Sequence, residues 1–337
     1  MPYRSGAVVS HIRVMLDYFH PWPNSAGFFV ARDRGWYSEA GLDVELSVQD
    51  PGRGDTLEYL ARRQADFGMF PPNRLLVRRA QGQPLIGTAA VNHRALEAVQ
   101  TITGRGIERP RDLAGKRVAY NPTPRGRAMV RHLVAADGGD PDAVVTVDAG
   151  YRELTVDDLE AGEADATFGV YWSWDALRGD LPEDRRITWP VDEIGAPRYH
   201  SYLLGAHEET VRSDPEEVRR FLAATERGFR TAQAERTYTL DLLERVIPYF
   251  TRPLIARSLD LVAPTWTDPL GRWGVIAEDR TGPYADWLAE HGVLPRADGW
   301  RDAYTTDLLA EPPAGRSGVL ADAGRGAAAG GREGSGA

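Results

Sequence analysis

Two stretches of the chain repeat one spacing: Leu60-x-x-x-x-Ala65-Asp66 and Leu159-x-x-x-x-Ala164-Asp165. Each closes a helical run and leads into a short apolar segment. Around the first copy, β-branched or aromatic runs at 12–19, 42–48, 67–70 and 85–91 alternate with helical patterns at 27–35, 56–63 and 74–81. The pattern then restarts. Strand-like runs at 99–103, 116–120, 144–147 and 166–171 are interleaved with helical patterns at 126–136 and 155–160. Alternation of this kind predicts largely parallel sheets with helices on both faces, and its restart predicts two related α/β lobes.

Punctuation residues sharpen the boundaries. His20-Pro21-Trp22-Pro23 stops the first strand, because two prolines cannot pair, and Asn24 or Ser25 is placed to cap the next helix. Gly35 and Gly41 end the turns before a strand in which apolar and polar residues alternate from Leu42 to Val48. Asp214-Pro215 reads as an N-cap followed by proline at the first helical position. Helices then dominate to about residue 311. Residues 312–337 are rich in Gly, Ala and Arg without periodicity and read as a disordered tail.

Composition narrows the function classes. A 337-residue chain with 42% hydrophobic residues can bury a substantial core, and no run of eighteen apolar residues is present to span a membrane. A net charge of -9 is the wrong sign for a duplex nucleic-acid binder. The absence of cysteine removes disulfides, thiolate metal sites and cysteine nucleophiles. No His-x-x-x-His or His-Glu-x-x-His spacing suggests a metal. The first sixteen residues lack the apolar core of a secretory leader, so the chain is expected either to be cytoplasmic or to begin downstream of such a leader.

Several blocks in order carry a family resemblance. They are Asp17-Tyr18, then Asn24-x-x-Gly27-Phe28-Phe29-Val30-Ala31-x-x-x-Gly35-Trp36-Tyr37-x-x-x-Gly41-Leu42-Asp43-Val44, and Ala65-Asp66-Phe67-Gly68-Met69. Asp112-Leu113-x-Gly115-Lys116-x-Val118-x-Tyr120, Tyr171-Trp172 and Asp192-Glu193-x-Gly195-x-Pro197 continue the series. Over residues 12–294 the chain resembles the thiamine-pyrimidine solute-binding proteins of ABC importers, which are related to fungal thiamine pyrimidine synthases and to sulfonate-binding receptors. The resemblance implies a two-lobed, type II periplasmic-binding-protein-like α/β fold with a ligand cleft between the lobes. It places lobe I at 1–95 plus 205–311 and lobe II at 96–204. The synthase branch holds pyridoxal phosphate on a lysine and uses a histidine four residues later, with a cysteine cluster for iron. Here those two positions are Phe70 and Arg74, Lys116 is the sole lysine, and no cysteine exists. No cofactor is therefore expected.

Candidate ligand contacts sit at strand ends and helix starts. Asp17, Tyr18 and Trp22 follow the first strand, the two rings as a wall for a flat heterocycle. Asn24 and Gly27 open one helix, and Thr123 and Arg125 open its counterpart in the second lobe, where free N–H groups suit an oxygen or anion. Phe70 and Asn73 follow another strand of the first lobe, with Asn73 also placed as a cap. Tyr171 and Trp172 end a strand of the second, opposite the first wall. On an extended segment Glu193 and Asp192 face opposite ways, and Glu193 is the one expected to meet a ligand amine. The expected function is a non-enzymatic receptor that binds a thiamine-precursor-like nitrogen heterocycle by hinge closure, with an ABC permease as partner. The alternative is a cytoplasmic decarboxylase or biosynthetic enzyme on the same fold.

Overall fold

In the computed structural model, which describes residues 9–150, 152, 154, 156–170 and 181–310, the alternating pattern becomes two five-stranded sheets. The first takes β1 (Ser10–Met15), β2 (Leu42–Ser47), β3 (Phe67–Phe70) and β4 (Leu85–Ala90). The second takes β5 (Glu97–Ile102), β6 (Arg117–Tyr120), β7 (Val145–Asp148), β8 (Ala166–Val170) and β9 (Arg186–Pro190), after which β10 (Leu203–His207) returns to the first. Their spatial orders, β2-β1-β3-β10-β4 and β7-β6-β8-β5-β9, follow one plan.

The sheets are mixed, which corrects the expectation of a largely parallel arrangement. β1 runs parallel to β2 and β3, and β6 parallel to β7 and β8. β10 is antiparallel to β3 and β4, and β5 is antiparallel to β8 and β9. Chain direction explains this. The parallel strands of both sheets end at the space between them. A chain that leaves one sheet there must enter the other at its near end, so its first strand runs outward.

Among the described residues eleven helices accompany the sheets: α1 (Ala26–Asp33), α2 (Trp36–Glu39), α3 (Thr56–Ala61), α4 (Pro72–Ala80), α5 (Pro124–Ala136), α6 (Val156–Glu160), α7 (Glu208–Ser213), α8 (Pro215–Ala234), α9 (Arg236–Val246), α10 (Arg252–Val262) and α11 (Glu278–Glu290). Asp214 caps α8 as its sequence suggests, accepting from the Glu217 N–H at 2.9 Å. The first strand is shorter than its apolar run, ending at Met15, and β9 has no counterpart among the sequence expectations. The expected tail lies outside the described residues. Among the described residues no helix is long and apolar enough to cross a membrane.

The repeated Leu-x-x-x-x-Ala-Asp spacing has a structural purpose. Leu60 and Leu159 are buried, and each aspartate ties the strand that follows, the middle one of its sheet, to the neighbouring parallel strand. Asp66 accepts from the Arg13 backbone N–H at 2.8 Å and from its guanidinium at 3.0 and 3.1 Å. Asp165 accepts from the Arg117 backbone N–H at 2.8 Å and from its guanidinium at 3.3 Å. Even the left-handed turn between leucine and aspartate recurs, at Arg63 (φ 57°) and Gly162 (φ 80°).

Candidate functional site

A cavity of about 1060 Å³ opens where both sheets end. One wall comes from the β3–α4 junction, with Pro71, Pro72, Asn73 and Arg74. The facing wall comes from the β6–α5 junction, Asn121 to Gly126 apart from Pro122, and from Phe168, Gly169 and Val170 of β8. The crossing segments add Glu97 from the first and Tyr199, Ser201 and Tyr202 from the second.

Arg125 is the best-defined polar group in this wall. It follows Pro124 in the first turn of α5, whose N-cap Thr123 accepts from the Gly126 N–H at 3.1 Å. Its side chain is buried, at 8% exposure. Nη1 donates to the Glu97 carboxylate, Nε donates to the Tyr284 hydroxyl at 3.0 Å, and the Tyr199 hydroxyl donates to the other oxygen of Glu97. Tyr199 and Tyr284 stack with centroids 4.5 Å apart, and the guanidinium lies 5.1 Å from the Tyr199 ring. Burial works against the charge on Arg125, but Glu97 beside it outweighs that cost and raises its pKa. Nη2 has no hydrogen-bond partner. A buried guanidinium with an unmade bond is costly alone and well suited to a ligand oxygen.

Burial lifts the Asp17 carboxyl to about 6, against the Tyr202 hydroxyl that donates to it and the positive charge of Arg74 nearby. Tyr202 and Arg74 line the cavity, so Asp17 stands just behind its wall. Two further histidines lie in the crossings. His200 donates from Nδ1 to the Asn92 carbonyl at 3.1 Å and accepts the Ala277 N–H on Nε2 at 3.0 Å; its ring meets that of His93 at 5.3 Å.

Of the residues expected from sequence, Asn73, Thr123 and Arg125 line the cavity together. Asn73 is the second residue of α4, so Pro71 rather than Asn73 occupies the cap. Asn24 is fully engaged in the core. It exchanges amide hydrogen bonds with Asn92 at 2.9 and 3.1 Å and accepts the Trp266 indole N–H at 3.1 Å. Gly27 serves a helix crossing, since a Cβ there would lie 2.3 Å from the Phe229 ring. Phe70 is core, at 1% exposure. Tyr18 and Trp22 contact the His20 ring, and Trp22 also stacks on Phe250 at 4.7 Å. Glu193 is exposed and pairs with Arg94 at 3.0 Å. Its segment is a single 3-10 turn, Val191–Glu193, so the alternation argued for an extended strand does not apply. Tyr171 and Trp172 lie outside the described residues, immediately after Val170.

Glu97, Tyr199, Tyr202 and Tyr284 were not among the expected site residues. Glu97 and Tyr284 carry no local motif and meet Arg125 only through the fold. The run Tyr199-His200-Ser201-Tyr202, polar and aromatic just before the return crossing, was the available signal.

Residues 22–236 match the family model described as NMT1/THI5 like. The chain belongs to the NMT1/THI5-like family. Within this NMT1/THI5-like group, it is similar to a formylaminopyrimidine-binding protein of Halalkalibacterium halodurans, 26% identical over 307 residues, covering 88% of this chain and 89% of the relative. It is also similar to a 4-amino-5-hydroxymethyl-2-methylpyrimidine phosphate synthase of Legionella pneumophila, 25% identical over 291 residues, with 78% and 85% covered. In fold it is similar to the alkanesulfonate-binding protein SsuA of Xanthomonas axonopodis pv. citri bound to MOPS. The TM-score is 0.67 at 14% identity, covering 89% of this chain and 99% of that one. The two-lobed periplasmic-binding-protein architecture is thus shared.

Pyridoxal phosphate, which the synthase branch implies, does not fit these residues. A Schiff base needs a lysine amine, and the Lys116 ammonium donates to the Arg105 carbonyl at 2.8 Å, away from the cavity lining. Among the described residues no group of three His, Asp or Glu is placed to hold a metal ion.

Proposed function

We propose that this family member is a solute-binding protein that closes two lobes over a small, thiamine-precursor-like nitrogen heterocycle and presents it to an ABC permease. The observation that carries the reading is the cavity itself, walled by both sheets and both crossings, with the unpaired Arg125 Nη2 in its wall region. Residues 96–204 are the moving lobe, and residues 1–95 with 205–311 the other. Contacts to both lobes exist only when they approach, so the ligand shifts the population towards closure. The volume sits at the upper end for a small-molecule pocket, as suits a cleft that narrows on closing. Tyr120, Phe168, Tyr199 and Tyr202 supply flat apolar surface, while Asn73, Thr123 and Arg125 supply polar contacts with Asp17 behind them. The ligand class draws support from the formylaminopyrimidine-binding relative.

The test is a thermal-shift and calorimetric panel of 4-amino-5-hydroxymethyl-2-methylpyrimidine, an alkanesulfonate and a flavin, with each compound checked for conversion by mass spectrometry. A receptor gains about 2.7 kcal/mol at one hundred times Kd. Stabilisation by the pyrimidine, recovered unchanged, is the expected result. Conversion of the compound would replace the receptor with an enzyme, and stabilisation by the sulfonate alone would replace the ligand class.

A further inference from the structure

The charged side chains that line the cavity balance one another. Among the described residues they are three arginines, Arg74, Arg78 and Arg125, and three carboxylates, Asp55, Glu97 and Asp148. Arg78 pairs with Asp55 and with Glu58, each at 2.8 Å, and Arg74 reaches Asp55 at 3.5 Å. Arg125 is answered by Glu97. Both oxygens of Glu97 are engaged, one by the Arg125 guanidinium and the other by the Tyr199 hydroxyl. Its effect on a ligand is therefore that of a charge set beside Arg125.

The two helix starts in the cavity wall are poor in donors. A helix N-terminus ordinarily offers several free N–H groups to an anion. α4 begins at Pro71-Pro72, where neither residue has an N–H, and the Arg74 and Leu75 N–H groups both bond the Pro71 carbonyl, at 3.2 and 3.4 Å. In α5 Pro124 has none. The Thr123 N–H is taken by the Asn121 carbonyl at 2.8 Å and the Gly126 N–H by the Thr123 hydroxyl at 3.1 Å. Each start keeps at most one N–H, on Asn73 and on Arg125. A phosphate or sulfonate entering here meets single backbone donors and no unbalanced cation.

We propose that Glu97 sets the specificity of this cleft: by cancelling the charge of Arg125 it admits an uncharged nitrogen heterocycle and rejects the same ring bearing a phosphate or sulfonate. The proposal rests on the reading of the cleft as a heterocycle receptor and adds what that receptor excludes. Arg125 Nη2, which has no partner, remains as one donor of a neutral pair, suited to a single carbonyl, hydroxyl or ring nitrogen. An anion would give up its water beside the Glu97 carboxylate without gaining a counter-charge, which is discrimination by repulsion.

The experiment uses the full chain and two probes, 4-amino-5-hydroxymethyl-2-methylpyrimidine and its phosphate ester, titrated by calorimetry at neutral pH. Wild type should bind the uncharged probe about a hundredfold more tightly than the ester. Glu97→Gln keeps the size of the side chain and removes its charge, so the ratio should shrink by about tenfold through a gain in ester affinity. Rejection by size, or a purely structural role for Glu97, would leave the ratio where it was. Arg125→Met leaves the carboxylate unopposed and should widen the ratio, which supplies a second reading if Glu97→Gln does not fold. Equal affinity of wild type for the two probes overturns the filter and leaves the receptor standing. So does a ratio that Glu97→Gln does not shrink or, where that variant fails to fold, that Arg125→Met does not widen. If wild type does not bind the uncharged probe, the pyrimidine reading falls and the filter with it.

Discussion

The Arg125 guanidinium donates from Nε to the Tyr284 hydroxyl at 3.0 Å, and that bond ties the first turn of α5 to α11. α5 belongs to the second sheet's layer, whereas α11 also packs against α4 over the first. The contact therefore spans the two halves of the molecule beside the cavity. Tyr284→Phe keeps the ring that stacks on Tyr199 but leaves Nε without its acceptor. A loss of about 1–3 kcal/mol is expected in urea unfolding, with the secondary-structure spectrum unchanged.

Glu97 and Arg125 form a buried pair, and removing either partner alone leaves an uncompensated charge. Arg125→Met and Glu97→Gln should each cost about 3–5 kcal/mol, whereas the double substitution should cost less than their sum. A double-mutant cycle measured by denaturant unfolding checks this. Additivity would mean that the two side chains do not act as a pair.

Asp17 titrates unusually high, from its ordinary 3.8 to about 6, chiefly through burial. Its folded pKa lies above its unfolded value, so the folded state holds the proton more tightly. Stability from this group is present below about pH 4 and is lost as pH rises through 6, a difference of about 3 kcal/mol. Asp17→Asn should therefore be more stable than wild type at pH 7.5 and nearly equal to it at pH 4. Unfolding midpoints at the two pH values provide the comparison.

His93 and His200 bring the opposite trend. Burial lowers them to about 4 and about 3, with the neighbouring imidazole adding to the effect at His200 and Asp268 opposing it at His93. The unfolded chain takes up these protons first, so their contribution is complete above pH 6.5 and is lost as pH falls from 6.5 towards 4. His93→Gln should flatten the acid limb of the stability profile relative to wild type. An unchanged acid limb, followed by circular dichroism, would show that the pair does not govern it.

The crossing of α1 and α8 leaves no room for a side chain. A Cβ on Gly228 would lie 2.1 Å from the Gly27 carbonyl oxygen, and one on Gly27 would lie 2.3 Å from the Phe229 ring. Gly228→Ala should lower stability by about 1–3 kcal/mol, because the clash is with backbone that has to shift. Affinity for 4-amino-5-hydroxymethyl-2-methylpyrimidine in the folded fraction should stay at the wild-type value, since neither glycine nor Phe229 lines the cavity.

The strand–helix alternation was readable because each element carries its own local pattern. Asp66 and Asp165 could be matched by spacing alone, and the structure gives them one role on Arg13 and Arg117. What sequence did not convey was the direction of β5 and β10, which depends on where the chain crosses and not on any local residue. The site was legible to the same extent. Thr123 and Arg125 stand out as a helix start, whereas Glu97 and Tyr284 reach Arg125 from 28 and 159 residues away. Asn24 shows the converse. It has the look of a cap or a ligand group, yet its amide is consumed by Asn92 and Trp266, partners that only the folded core brings near.

The position of β4 sets a schedule for synthesis. Its strand and bridge partners are β10 on one edge and the isolated bridges to Gly274 and Tyr304, all later in the chain. The whole second sheet leaves the ribosome before any of them. At typical elongation rates β4, buried along almost its full length in the finished protein, emerges roughly ten seconds before β10 exists. During that interval the nascent chain carries a bare, apolar strand beside a lobe that has every strand it needs. Stalled chains ending before residue 203 should therefore be cleaved by protease within β4 while β6 and β8 resist. The first lobe, begun first, is the last to close.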